Sequence, residues 1–389
     1  MSTMLINPFS AKHPINPEYF VNRTEILEAF KGDLEFSINA SPPKPENVAI
    51  TGRWGYGKTS LLKKFESIAL QDQRVFTAYV EVIPTFCNDF HDFSIRVRDE
   101  IERSFKVSSK SLLTKLKSDI IPNWRIKTID LGLGELERTE RGKSHVTTFE
   151  DSLIELWKIL KQNKIKLMLL MVDDLQYLAT AYPDGLYDLR GIFQKLAMDG
   201  CNIMLVISGP ETLFQIKDFA EPFARFFNRH NLSTFDFTET KKAIVKPIEI
   251  SSINIKVDED IIKKIHELTK GHPYFIHFIM HYLVEYRQSG RIDIGFFKDS
   301  YEKIAKHLAR EKFDYDFMSK ATDKEREILL KIAKNPVEIF EPSKIKTPNV
   351  RKYLRLLTEK ELLIQLERGR YTLYHPLFRE YLRSNLTSQ

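Results

Sequence analysis

The chain has 389 residues, which by the usual length prior is roughly two or three domains. It is 42% hydrophobic and 29% charged, with a formal net charge of +6, which excludes a disordered or strongly polybasic chain. Two cysteines, Cys87 and Cys201, exclude a disulfide framework or a cysteine-only zinc site, and their apolar settings predict buried thiols in a reducing, cytoplasmic compartment.

Residues Met1 to about Pro17 hold Pro8, Pro14 and Pro17 and no periodicity, so they are expected to form an extended arm. An amphipathic helix is expected from Tyr19 to about Asn39, broken by Ser41-Pro42-Pro43-Lys44-Pro45. Asn47-Val48-Ala49-Ile50-Thr51 is an apolar run that predicts a buried strand. The next eight residues, Gly52-Arg53-Trp54-Gly55-Tyr56-Gly57-Lys58-Thr59, fit the phosphate-binding pattern G-x-x-x-x-G-K-[ST]. A helix is expected from Ser60 to about Ala69. Strand, loop and helix are in the register that lets backbone N–H groups wrap phosphate oxygens at a helix N-terminus. Lys58 is then expected at the β- and γ-phosphates and the Thr59 hydroxyl at Mg²⁺.

A second strand is expected at Val75–Val82, followed by a long, mainly helical section from about Asp89 to Asn163. Its part from Arg125 to His145 is rich in charge and glycine, which predicts a hairpin or loose loop. Leu167 to Val172 is the longest apolar run, too short for a bilayer and right for a strand buried on both faces. No membrane partner is expected. Further strands are expected at Asn202–Ser208 and Leu232–Phe237. Strands alternating with helices predict an α/β fold with a parallel sheet and helices on both faces.

From Thr238 to about Lys312 only helices are expected. Thr238-Glu239-Thr240 suggests a cap, Glu259–Thr269 a second helix, and Gly271-His272-Pro273 the start of a third. The tail predicts helices at Glu325–Ala333, Pro342–Ile345 and Val350–Glu361, then strands at Leu362–Leu366 and Tyr371–Leu373, the outline of a winged helix. Asn349 or Thr347 could cap the third of these helices. The expected domains are an arm at 1–18, a nucleotide core at 19–237, a helical lid at 238–315 and a winged helix at 316–389.

Phosphate binding alone hydrolyses nothing; a carboxylate near Mg²⁺ and a group that orients water are also needed. Asp173 and Asp174 directly follow the apolar strand at 167–172. Asp173 is expected to hold Mg²⁺, directly or through water, and Asp174 to act as base or to position the water; the plainer alternative is a pair of helix-capping carboxylates. Ser208 ends its strand at the face where ligands bind in parallel sheets, and could touch γ-phosphate or cap the helix expected at Glu211. Arg225, and with less support Arg229, could stabilise transition-state charge on a neighbouring subunit's nucleotide; either could equally be an ordinary surface arginine.

These residues resemble the archaeal ATPase group of P-loop proteins, within the AAA+ and STAND branches and related to origin-recognition-like ATPases. The likeness runs from Tyr19 to Leu382. Phe20-Val21-Asn22-Arg23-Thr24-Glu25-Ile26-Leu27 is similar to the group's N-terminal box, Gly271-His272-Pro273-Tyr274-Phe275 to its lid motif, and His375-Pro376-Leu377-Phe378 to its closing helix. The resemblance implies ATP/ADP and Mg²⁺ as cofactors. It implies a nucleotide contact for the loop Gly52–Ser60, adenine contacts from Val21 and Arg23, and a lid position for Pro273. Two departures stand out. No arginine follows Pro273 until Arg287, which favours a STAND-like switch over a ring motor, and the second acid is Asp rather than the longer Glu, which fits slow hydrolysis.

Residues 341–389 hold ten lysines and arginines against five glutamates, most of the chain's positive excess. Arg351, Lys352 and Arg355 share helical spacing, and Arg368 and Arg370 sit at the expected wing. That charge suits duplex DNA through 341–389. A protein partner or self-association through a winged helix is the competing expectation.

Overall fold

The computed structural model describes residues 7–107, 138–214, 225–287 and 290–387. The chain divides into two compact units. One holds Arg23–Arg53 and Gly57–Ser233; the other holds Met1–Asn22, Trp54–Tyr56 and Thr234–Gln389.

The first unit is built on a five-stranded parallel sheet. Its elements are α1 (Thr24–Asn39), β1 (Val48–Thr51), α2 (Lys58–Ala69), β2 (Val75–Glu81), α3 (Phe90–Val107) and α4 (Arg138–Gln162). They continue with β3 (Leu167–Asp173), α5 (Gln176–Ala181), α6 (Gly185–Met198), β4 (Ile203–Gly209) and β5 (Asn228–Asn231). The strand order is β2-β3-β4-β1-β5, so β4 lies between the strand that leads into the phosphate loop and the strand that ends in the acid pair. All seven residues of β3 and all seven of β4 are buried, which is why their sequences are continuous apolar runs. Phe30 of α1 stacks on Phe65 of α2 at 3.8 Å between ring centroids, both fully buried.

Several expectations shift here. The first helix starts at Thr24 instead of Tyr19, because Asn22 and Arg23 have φ of 68° and 56°, a left-handed pair that no right-handed helix can include. Within the charged stretch expected as a loop, the chain is helical from Arg138; residues 125–137 lie outside the described residues. The fifth strand is Asn228–Asn231, earlier than Leu232–Phe237. It has the polar make-up of a sheet edge, paired to β1 alone, so no apolar run marks it. Cys87 and Cys201 are buried free thiols, and burial pushes each thiol up to about 11.

The second unit is mainly helical: α7 (Phe237–Ser251), α8 (Glu259–Thr269), α9 (Pro273–Tyr286), α10 (Ile294–Leu308), two π-helical turns at Ala309–Phe313 and Tyr315–Lys320, α11 (Asp323–Lys334), α12 (Val350–Glu359) and α13 (Pro376–Thr387). Two-residue strands β6 (Lys256–Val257) and β7 (Arg291–Ile292) pair in parallel, inside a stretch expected to be helical throughout; they are too short to leave a pattern. An antiparallel hairpin, β8 (Leu363–Glu367) and β9 (Arg370–Leu373), follows α12.

The capping box of α7 is Asp236 with Glu239, instead of the expected Thr238 cap. Asn349 precedes α12 at φ 55° and makes no side-chain cap, while Thr347 accepts from Lys331. One hydrophobic core runs through the whole unit, from Phe9 and Ala11 of the arm to Phe378 and Leu382 of α13. The arm is therefore anchored: Phe9 is buried, and Asn7 donates to the His281 carbonyl at 3.0 Å. Gly271 has φ +72°, and a Cβ there would lie 1.8 Å from the Phe235 carbonyl oxygen, so this turn admits only glycine.

Candidate functional site at the ends of the parallel strands

Beyond β1 the chain turns at Gly52, whose N–H donates to the Gly209 carbonyl at the end of β4 at 3.3 Å. Gly52, Gly55 and Gly57 all have positive φ (157°, 77° and 93°). Gly57 caps α2, and a Cβ built on it would meet nothing within 4 Å. Open space there, at the N-terminus of a helix with no acidic residue in its first turn, is what a polyphosphate needs. The Lys58 ammonium donates to the Gly52 carbonyl at 2.8 Å and the Arg53 carbonyl at 3.2 Å, so it stays at the loop it would serve. Arg53 pairs with Glu211 at 3.4 Å.

Trp54–Tyr56, the middle of the loop sequence, belong to the helical unit. There the Tyr274 N–H donates to the Gly55 carbonyl at 3.1 Å, and Trp54 lies 4.5 Å from the Tyr274 ring. The Lys312 ammonium sits 3.7 Å over the Trp54 ring and pairs with Asp316 at 2.7 Å. A Cβ on Gly55 would strike His272 Cε1 at 2.5 Å, so this position also requires glycine. Pro273 is the first residue of α9 and is buried. Val21 packs on the core of the helical unit. In the sheet unit, Arg23 donates to the Ser233 carbonyl.

The acid pair is built differently from the loop. Asp173 ends β3 and is 1% exposed. Its Oδ2 accepts from the Tyr79 hydroxyl at 2.8 Å, and its Oδ1 accepts from the Ser208 hydroxyl and from the Asp174 N–H at 3.1 Å. Ser208 therefore clamps Asp173 instead of capping a helix; its Oγ also accepts the Asp174 N–H at 3.2 Å. Asp174 has φ +57°, a conformation that Asp tolerates better than most residues. Its side chain accepts from Gln176 at 3.0 Å. Burial, then the neighbouring Asp173, pushes its carboxyl above the usual range, the direction a general base needs.

Thr59 and Asp173 offer oxygen donors only, the chemistry that suits Mg²⁺. Among the described residues Asp173 is met by Tyr79, Ser208 and a backbone N–H and by no ion pair, and no three His, Cys, Asp or Glu side chains cluster as a self-sufficient metal site. That combination fits Mg²⁺, which keeps several waters and takes few protein ligands. When bound, the ion would neutralise phosphate charge; Thr59 and Asp173 would hold it.

Other expected residues are placed less suggestively. Arg225 is exposed, next to residues 215–224 that lie outside the described set. Arg229 is on β5, with its guanidinium 5.4 Å from the Phe214 ring. Sequence reasoning missed Tyr79, Lys63, His272, Lys312 and Asp316. Tyr79 had one usable signal: a hydroxyl in a buried strand needs a partner. In the tail, Arg379 donates to the carbonyls of Asn335 and Val337, Arg383 to those of Ala333 and Asn335, and Lys360 pairs with Glu325. Of these three, Arg379 is buried and Lys360 is charge-paired, so neither adds to an exposed basic face, while Arg383 remains exposed. Arg351, Lys352 and Arg368 are exposed, with no ion pair among the described residues.

Residues 33–183 match the KAP family P-loop domain. No curated protein sequence matches the chain. Among solved structures, the chain is similar to the Walker-type ATPase of Pyrococcus abyssi, with a TM-score of 0.52, 17% identity, and 94% of this chain covering 99% of that one. It is also similar to the Orc1 protein of Aeropyrum pernix in complex with DNA, with a TM-score of 0.50, 13% identity, and 94% of each chain covered. At these identities the likeness is one of fold. The chain thus carries a P-loop NTPase domain in an α/β fold. Among the described residues no helix is long and apolar enough to cross a membrane.

Proposed function

We propose that the protein is an ATP-binding and ATP-hydrolysing switch of the archaeal ATPase type, with a helical lid at 238–315 and a C-terminal winged helix at 316–389 whose output the nucleotide controls. The observation that carries this is the pairing of an open phosphate loop ending in Lys58-Thr59 with a buried Asp173 that meets only neutral donors. Lys58 would contact the β- and γ-phosphates. Asp174 would take the proton of the attacking water or orient it, and Ser208 would hold Asp173 in place. A switch needs γ-phosphate to contact two states differently. The absence of any arginine between Pro273 and Arg287 favours a STAND-like switch over a ring motor. Buried free thiols favour a cytoplasmic setting.

Lys58→Ala is expected to abolish nucleotide binding in a fluorescent-ATP assay. Asp174→Asn is expected to keep binding and lose turnover by about 100-fold or more, in line with the loss of a general base. Equal turnover by Asp174→Asn and wild type would remove Asp174 from the role. Light scattering after size exclusion, with and without ATP on Asp174→Asn, would show whether the bound state self-associates.

A second reading, a replication-initiator-like DNA binder, is favoured by Arg351, Lys352 and Arg368 of the tail, which are exposed and make no ion pair among the described residues. Duplex binding that falls steeply between low and moderate salt would support it. No binding at low salt would leave a protein partner for the winged helix, as in a signalling or defence scaffold with weak ATPase activity.

A further inference from the structure

We infer that Tyr79 is a positioning residue for the divalent cation that Thr59 and Asp173 would share, which deepens the ATPase reading above and rests on it. An ionised carboxylate has about four lone-pair sites. At Asp173, Oδ1 accepts twice, from the Ser208 hydroxyl and the Asp174 N–H, and Oδ2 accepts once, from Tyr79. One acceptor site on Oδ2 remains, and the Tyr79 hydroxyl decides where it points. Without that bond, every contact to the carboxylate falls on one oxygen, and the group is free to turn about it.

Tyr79 is in turn fixed from the other side of the site. The Lys63 ammonium lies 3.3 Å from the Tyr79 ring centroid and pairs with Glu66 at 3.1 Å. Lys63 is four residues after Thr59 on α2, so the two share a helix face. Tyr79 is in β2, opposite Met171, and Asp173 is two residues further along β3 on the same face. One side chain therefore ties the helix that carries Thr59 to the strand that carries Asp173, the two residues that would hold a cation. Nothing in the sequence motifs assigns it this task.

The test is Tyr79→Phe, which keeps the ring and the Lys63 contact and removes the hydroxyl. Nucleotide affinity is measured with a fluorescent ATP analogue in EDTA, and cation affinity by Mg²⁺ titration of that complex and by Mn²⁺ electron paramagnetic resonance. Loss of an outer partner of a metal ligand costs about 10- to 100-fold in metal affinity, so a drop of that size is expected, with metal-free nucleotide affinity unchanged. Lys63→Met, which keeps the hydroxyl but frees the ring, is expected to move Mg²⁺ affinity the same way by less. A purely structural role would weaken metal-free binding and thermal stability together instead. Equal Mg²⁺ affinity in Tyr79→Phe and wild type, with both binding metal-free nucleotide, would overturn the assignment. If Tyr79→Phe fails to fold, an unchanged Mg²⁺ affinity in Lys63→Met overturns it. A wild-type protein that binds no nucleotide under any condition would remove the ATPase reading itself, and Tyr79's role with it.

Discussion

Among the described residues, each unit buries one aspartate beside a tyrosine hydroxyl, and the two are finished differently. In the helical unit Asp316 is fully buried. It accepts from Tyr374 at 2.7 Å and pairs with Lys312 at 2.7 Å and Lys320 at 3.3 Å. In the sheet unit Asp173 accepts from Tyr79, Ser208 and a backbone N–H, and no cation of the described residues reaches it. A buried carboxylate that the protein neutralises itself is a structural device. One left with neutral donors only is prepared for charge from outside the chain.

The sharpest way to break that comparison is to neutralise each acid. Asp316→Asn leaves Lys312 buried without its main partner and is expected to cost about 3–5 kcal/mol of stability in a urea titration, with Mg²⁺ affinity intact. Asp173→Asn is expected to leave the urea midpoint nearly unchanged while removing Mg²⁺ enhancement of nucleotide binding. If both variants lose stability alike, Asp173 is structural too.

Acid should act on the helical unit next. The His375 Nε2–H donates to the Thr269 carbonyl at 2.8 Å, so its bare Nδ1 accepts the Leu377 N–H at 3.1 Å at the start of α13. Burial lowers this imidazole to about 4. Below its ordinary value of 6.5 the unfolded chain takes up the proton and the folded one does not, until about pH 4. Stability is therefore lost as pH falls through that window, by about 3 kcal/mol in all at about 1.4 kcal/mol per pKa unit. Denaturant titrations at pH 7 and 4.5 should show His375→Gln losing clearly less than wild type over the same interval. Parallel losses would sink the assignment.

The glycines sharpen the contrast more gently. Gly57→Ala meets no atom but sits at φ +93°, so it is expected to cost about 1–2 kcal/mol of stability. The added methyl should also weaken nucleotide binding far more than that cost implies, as a fluorescent-ATP titration would show. The smallest effect belongs to Trp54→Leu. It removes the cation–π contact with Lys312, worth about 1 kcal/mol, and should appear as a small drop in Tm.

The phosphate loop, the acid pair, the apolar strands and α8 were all legible in the sequence, because each is a local pattern: fixed glycine spacing, a continuous buried run, or an amphipathic repeat between caps. The polar edge strand β5 was not, since pairing on one side only asks nothing of its side chains. The helix start at Thr24 was displaced by two left-handed residues that periodicity does not reveal. In the tail, Arg379 and Lys360 counted toward a basic patch until the fold buried the first against carbonyls and paired the second with Glu325. Local order along the chain thus determined where the glycine-rich loop and the acid pair lie. Tertiary structure alone decided which side chains surround Asp173, because Tyr79 and Ser208 lie 94 and 35 residues away along the chain, and only the pairing of β2, β3 and β4 brings their hydroxyls to one carboxylate.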